Sequence, residues 1–290
     1  QQHSLMSRKR PRPVDLIPTE RDITDTKAAL DYLWNHFAGH SMVCGTPLAF
    51  QHHVYSVLND RTAVDRDVVA LAERGAVRLL HCTTSNADVV LVRGADFTAK
   101  VNQLLGVAEA KGDAARATVL RAFRDATARW SSVELNLDLL ETRLHGDGEG
   151  GEDTACAAAH DRDEGDSAPG AGDAVVTEEE ALRVLVSLGL LARCPVGPTA
   201  RTVYRVTMPG MGEFARLVRE GRAAVLTSVQ RSKYAEVLES RLRARRLKKV
   251  AALGLDFHVW DLLGSGLLRA EQTPSGVLLQ ACGQQRLRRS

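Results

Sequence analysis

Apolar and polar positions along the chain form one arrangement three times: an amphipathic helix, a glycine, and two short apolar strands joined by a turn. Apolar residues recur every three to four positions in helices and every two in strands. The predicted helices span 62–74, 177–188 and about 253–263, and the glycines after them are Gly75, Gly189 and Gly266. The predicted strand pairs are 76–82 with 87–92, 190–194 with 202–207, and 267–271 with 277–281. Each glycine stands where left-handed backbone ends a helix at little steric cost.

Two further helical stretches precede each of these segments. They span 26–38 and 47–58, then 113–129 and 132–144, then 213–230 and 233–243. Three helices followed by a two-stranded wing form the winged variant of the helix-turn-helix motif. The pattern predicts an α+β, predominantly helical chain of three tandem winged-helix modules. Their expected bounds are 23–94, 95–208 and 209–283, between a basic N-terminal tail (1–22) and a basic C-terminal tail (284–290).

Charge is distributed unevenly along the 290 residues, although 38 Lys and Arg against 36 Asp and Glu leave a net charge of only +2. Residues 146–176 contain nine acids, one base and almost no large apolar side chain. Such a segment buries too little surface to offset its ordering entropy, which predicts a disordered acidic insertion in the second module. A basic run near the N-terminus suits nuclear import or contact with nucleic-acid phosphates. Its residues are Arg8, Lys9, Arg10 and Arg12.

Positive charge is concentrated in the third predicted module. Between residues 216 and 249, eleven cations stand against three glutamates, a local balance of +8. Such a surface suits the sugar-phosphate backbone and gives affinity with little sequence preference. Few aromatic residues accompany it, which favours duplex DNA over a single strand. The predicted DNA-binding residues are Arg216, Arg219, Arg222, Arg231, Lys233, Arg241, Arg243, Arg245, Arg246, Lys248 and Lys249. A solvated charged face without a ligand is the alternative.

The third helix of a conventional winged helix reads the major groove, but the third helices predicted here are acidic. The second begins with Glu178, Glu179 and Glu180, and the third is expected to expose Asp256 and Asp261. Consecutive carboxylates repel phosphate. The second module is therefore predicted to bind protein partners, through its three glutamates, rather than DNA.

Patterns typical of metal or cofactor sites are weak. The five cysteines are odd in number and widely spaced, and they form no C-x-x-C pair, which argues against a disulfide framework or a zinc module. His36, His40 and Cys44 are spaced four apart, but Gly39 and Gly45 interrupt the helix that would align them. Packed or exposed histidines are the expected interpretation. No metal or other cofactor is predicted.

Apolar stretches are interrupted well before the ~20 residues that a membrane-spanning helix needs. No association with a membrane is predicted.

Several phrases of the sequence resemble the family named serine/threonine-protein kinase 19. They are HVYSVLNDRT at 53–62, PGMG at 209–212, GRAAVL at 221–226, and Lys233 with Tyr234. The resemblance covers about 23–281 and is weak across 100–176. It implies tandem winged helices that bind DNA in the nucleus and act in transcription-coupled nucleotide excision repair. The implied partners are stalled RNA polymerase II, the Cockayne syndrome proteins and TFIIH.

Basic positions of the family match several cations of this chain. They fall on Arg222, Arg231, Lys233, Arg245 and Arg246, whereas a further basic position of the family falls on Gln230 here. The resemblance therefore supports a basic surface without defining each contact.

The motifs of a protein kinase are missing from the sequence. A kinase needs a glycine-rich strand-turn-strand, a strand lysine, a catalytic-loop Asp and a metal-binding Asp-Phe-Gly. PGMG at 209–212 is too short and lacks flanking strands, while Asp96-Phe97 and Asp256-Phe257 are not followed by glycine. The chain is predicted to be a DNA-binding scaffold rather than an enzyme. An adaptor whose basic surface meets acidic protein or RNA is the main alternative, an active kinase is the weakest one, and a homodimer stays open.

Overall fold

The computed structural model describes residues 25–39, 42–58, 60–82, 88–128, 176–194 and 203–282. The basic tails, the predicted helix at 132–144 and the acidic insertion up to residue 175 lie outside these ranges. Within them, no helix is both long and apolar enough to cross a membrane.

The first group of elements contains three helices and a small antiparallel sheet. Its helices are α1 (Thr26–Phe37), α2 (Gln51–Val57) and α3 (Arg61–Glu73), and its strands are β1 (Ala49–Phe50), β2 (Val77–His81) and β3 (Val89–Arg93). The strand order is β1-β3-β2, with Leu79 opposite Leu91. Asp25 and Asp60 cap α1 and α3 through their side chains, which explains why these helices begin there.

The second group contains helices α4 (Gly94–Ala110), α5 (Ala114–Ala128) and α6 (Glu178–Ser187), followed by strands β4 (Leu191–Cys194) and β5 (Val203–Val206). The two strands form an antiparallel hairpin. Helix α4 was not predicted from the sequence, although Phe97, Val101, Leu105 and Ala108 form a buried stripe at helical spacing.

The third group begins with the long helix α7 (Met211–Gln230) and a short 3-10 turn, Lys233–Ala235. Strand β6 (Glu236–Leu238), helix α8 (Glu239–Arg243) and a second 3-10 turn, Lys248–Val250, come next. Helix α9 (Leu255–Gly264) and strands β7 (Leu268–Thr273) and β8 (Gly276–Ala281) complete the group, with strand order β6-β8-β7.

Most predicted elements are present, and the chain mixes helix and sheet as expected. The three predicted hairpins agree with the observed strands within two residues at each end. Gly75, Gly189 and Gly266 have φ of +69°, +72° and +78°, which confirms left-handed backbone after each helix. The predicted helix at 233–243 is wrong over 233–238, because Tyr234 and Ala235 adopt positive φ and the next three residues pair with β8; only Glu239–Arg243 is helical, as α8.

The first and third groups contribute to one hydrophobic core, which also contains buried residues of the second group. Phe37 lies 5.0 Å from Phe257 and Phe50 lies 5.7 Å from Phe214, measured between ring centroids. Trp260, fully buried, packs edge-on against Phe37. Because these rings come from both ends of the chain, the two groups are docked firmly against each other.

Replacing glycine by alanine within a helix usually stabilises a fold. The contact between α7 and α9 predicts the opposite at Gly221. A Cβ at Gly221 would lie 2.1 Å from the buried ring of His258, whereas a Cβ at Gly106, within α4, would meet nothing within 4 Å. Gly106→Ala is expected to stabilise the fold by up to about 1 kcal/mol, the difference in helix propensity. Gly221→Ala is expected to destabilise it by about 2 kcal/mol through overpacking. Urea denaturation measures both, and stabilisation by Gly221→Ala would contradict the observed packing.

Candidate nucleic-acid interface

A basic groove runs between the C-terminal half of α7 and the segment 245–249. It encloses about 410 Å³. Its lining residues are Glu220, Ala223, Ala224, Thr227, Ser228, Arg231, Arg245, Leu247 and Lys249. Three cations and two hydroxyls therefore face one groove that contains a single acid among the described residues, a composition that suits phosphate oxygens.

Arg245 connects the two walls of this groove. Its Nη1 donates to the carbonyl and hydroxyl oxygens of Ser228 at 2.8 and 2.7 Å, and its Nη2 donates to Ser232 Oγ at 3.2 Å. These partners are neutral, so Arg245 keeps its full charge while the segment after α8 is held against α7. Sequence reasoning identified the arginine but not the hydroxyls that orient it, because the pairs are 13 and 17 residues apart.

Eight of the eleven predicted DNA-binding cations are exposed and make no ion pair with any residue that the structure describes. They are Arg219, Arg231, Lys233, Arg241, Arg245, Arg246, Lys248 and Lys249. We call this set the basic surface. No described carboxylate forms an ion pair with these eight cations, whereas carboxylates pair with the other three arginines.

Arg216 and Arg243 are exposed in part but already paired with carboxylates. Arg216 lies 2.5 Å from Glu213 and 2.8 Å from Glu220, and its hydrogen bonds to Glu213 first and Glu220 second raise its pKa. Arg243 lies 2.7 Å from Glu239 and 2.6 Å from Asp256. Both arginines therefore contribute less net charge to the surface than their sequence positions suggest.

Arg222 has a different environment from the one expected of a DNA contact. Its guanidinium donates to both oxygens of Asp261 at 2.5 and 2.7 Å and to both oxygens of Asp88 at 2.9 and 3.2 Å. It also lies over the ring of Phe50, 5.2 Å from the centroid. Since only 20% of the side chain is exposed, the structure gives Arg222 the role of connecting the first and third groups.

Asp261 was expected to be exposed, and that expectation is wrong, since the residue is completely buried. Burial alone would raise its pKa, but hydrogen bonds from Arg222 and His52 outweigh burial and hold the pKa well below its usual value. His52 Nε2 lies 2.6 Å from Asp261 Oδ1. Asp256 is partly exposed and lies 3.7 Å from His36.

His52, His53 and Asp261 form the one group of potential metal ligands that the described ranges contain, with ligand atoms within 4.8 Å of one another. Both Asp261 oxygens already accept hydrogen bonds from Arg222, whose positive charge opposes a cation. His53 Nδ1 accepts from the backbone N–H of Phe50, and burial lowers its pKa well below the usual value. The arrangement fits a buried ion pair between Asp261 and Arg222, beside a neutral His53.

The four-residue spacing of His36, His40 and Cys44 does not produce a cluster among the described residues. His36 stacks on Trp260 at 5.0 Å between centroids. Burial raises the pKa of Cys44 to about 12. His40 lies outside the described residues.

Glu178, Glu179 and Glu180 occupy the first turn of α6. Glu180 completes a capping box with Thr177, and Glu179 accepts a hydrogen bond from Arg183 at 2.8 Å. Acids at a helix N-terminus also interact favourably with the helix dipole. These local roles explain the three glutamates in part, and their contact with a partner stays a prediction.

Comparison with known proteins identifies the family of the chain. The family model described as inactive serine-threonine protein kinase 19 matches residues 22–281. The chain belongs to this family. Similar proteins are winged helix repair factor 1 of Xenopus laevis, 30% identical over 234 residues, and of Homo sapiens, 27% identical over 278 residues. The matches cover 81% of this chain and 74% of the frog protein, and 95% of this chain and 93% of the human protein.

Membership of an inactive family confirms that the chain is not an enzyme. The acids that partly match kinase motifs have other partners in the structure. Asp96 accepts a hydrogen bond from Thr46 at 2.9 Å, and Asp256 pairs with Arg243 at 2.6 Å. Each acid belongs to the first turn of a helix, α4 or α9.

Proposed function

We propose that the chain is a non-catalytic scaffold that binds duplex DNA, largely through the sugar-phosphate backbone, with the basic surface of its third group. The observation that carries this proposal is the groove in which Arg231, Arg245 and Lys249 converge without a described acidic partner at ion-pair distance. Arginine guanidinium groups and hydroxyls donate hydrogen bonds to phosphate oxygens, and such contacts position a protein on DNA without reading its sequence.

Three tandem winged-helix modules, at 23–94, 95–208 and 209–283, are the architecture that we propose for this scaffold. Support comes from the antiparallel hairpin that ends each group and from the words "winged helix" in the relatives' name. Acids of the third helices, α3 and α9, accept hydrogen bonds from other residues of the chain: Asp67 from Thr26 and Asp261 from Arg222. We therefore assign DNA contact to α7 and the segments after it rather than to a third helix in the major groove.

A role in transcription-coupled nucleotide excision repair in the nucleus follows from the family resemblance and from the relatives' description as repair factors. In this proposal the first two modules bridge stalled RNA polymerase II, the Cockayne syndrome proteins and TFIIH. Glu178, Glu179 and Glu180 form part of the partner-binding surface. The basic run at residues 8–12 supports nuclear import.

An adaptor that meets acidic proteins without binding DNA directly is the competing function. Salt dependence separates the two, because each phosphate contact contributes about −0.9 to the slope of log K against log salt on duplex DNA. Three groove cations predict a slope of about −2.7, and all eight cations of the basic surface predict about −7. Anisotropy titrations with random duplex, RNA and polyglutamate measure this directly. Tightest binding to polyglutamate, with a flat salt dependence on duplex, would favour the adaptor.

A further inference from the structure

Tyr234 is the most exposed large apolar side chain of the described residues, with 77% of its surface accessible. It lies within the basic surface, in the turn between α7 and β6. Lys233 Nζ lies 5.0 Å from the centroid of its ring, and Arg231 is three residues away. Among the described residues, the ring has this contact with Lys233 and no contact with another aromatic ring.

The backbone at this turn is also unusual. Tyr234 has φ of +63° and Ala235 has φ of +57°, and they are the only described residues other than glycine with positive φ. Two successive left-handed residues with side chains are unfavourable, and such conformations concentrate at functional sites. Here they project the tyrosine from the end of α7 instead of continuing the helix.

The turn is fixed on both sides. On one side, Ser232 Oγ donates to the Ser228 carbonyl at 3.1 Å and accepts from Arg245 at 3.2 Å. On the other side, Glu236 opens β6, is paired with Gln280 of β8, and accepts a hydrogen bond from its side chain at 2.7 Å. A ring on a fixed turn loses little conformational entropy when it binds a flat partner.

We propose that Tyr234 stacks on an unpaired nucleobase, so that the basic surface prefers duplex DNA with a locally opened region over fully paired duplex. This inference rests on the proposed DNA binding and names the DNA class that the surface selects. Stacking on aromatic rings accepts any base, whereas the bases of intact duplex stack on one another and leave no face open. The neighbouring cations hold the phosphates on either side of the opening.

Fluorescence anisotropy with two labelled duplexes of equal length tests the proposal, one fully paired and one with a central four-nucleotide mismatched bubble. The wild type is expected to bind the bubble about tenfold more tightly, the scale of one stacked base. Tyr234→Ala is expected to abolish this preference and leave the affinity for paired duplex nearly unchanged. Tyr234→Phe keeps the ring and is expected to keep the preference. 2-Aminopurine in the bubble should be quenched by the wild type and by Tyr234→Phe only.

Each other outcome overturns the inference at an identifiable step. Equal wild-type binding to both duplexes, or a bubble preference that survives Tyr234→Ala, removes the stacking role and leaves DNA binding intact. Weakened binding of Tyr234→Ala to polyglutamate, without an effect on the bubble, assigns the ring to a protein partner. If the wild type binds neither duplex in a salt-dependent manner, the proposed function is rejected as well.

Discussion

Replacing Arg231 and Lys249 together by glutamine is expected to lower the affinity for random duplex DNA on the order of 50-fold at 0.1 M salt. Both residues line the groove beside α7, and neither makes an ion pair with a described residue. A lost phosphate contact removes about 0.9 released counterions, which at this salt concentration corresponds to about an eightfold loss in binding constant. The slope of log K against log salt is expected to become shallower by about two units.

A matched control separates the groove from net charge. Arg66→Gln with Arg183→Gln also removes two positive charges, from exposed positions of α3 and α6 whose side chains are 78% and 70% accessible. This control is expected to change the affinity only slightly and to keep the wild-type slope. Equal losses in the two double variants would show that binding follows the total charge, and an unchanged affinity of the groove variant would reject the groove as the contact surface.

Arg222→Met is expected to destabilise the fold by about 3–5 kcal/mol, because it leaves a buried carboxylate without its cation. Asp261 is completely buried, and Asp88 would lose the same partner. Urea denaturation measures the free energy of unfolding. Arg219→Met is the control, since Arg219 is exposed on the same helix with no ion-pair partner in the described ranges, and its replacement is expected to change stability by less than about 0.5 kcal/mol.

A double variant distinguishes the buried ion pair from a contact to DNA. Arg222→Met with Asp261→Leu removes both charges and is expected to recover much of the lost stability, as replacement of a buried pair by apolar groups often does. A stable Arg222→Met protein with greatly weakened DNA binding would contradict the structural role and return Arg222 to the contact surface.

Local elements could be predicted from the sequence because their determinants lie close together along the chain. The hairpins and the glycines that end the preceding helices depend on apolar spacing and on backbone freedom within a few residues. The segment 233–238 was one exception, and α4, which was not predicted, was another. The helical pattern of 233–238 lost to the pairing of Glu236–Leu238 with β8, whose residues lie about 40 positions further on.

The positions of the cations, the missing kinase motifs and the alternation of helix and hairpin were determined by the sequence alone. Only the tertiary structure decided which charges are available to a ligand. Arg222 and Arg231 look equivalent in the sequence. In the structure, Arg222 is paired with Asp261 and with Asp88, which is 134 residues away in the chain, whereas Arg231 faces an open groove. The physical reason is that Coulomb and hydrogen-bond energies depend on distance in space, and folding alone brings those acids within hydrogen-bonding distance of one arginine.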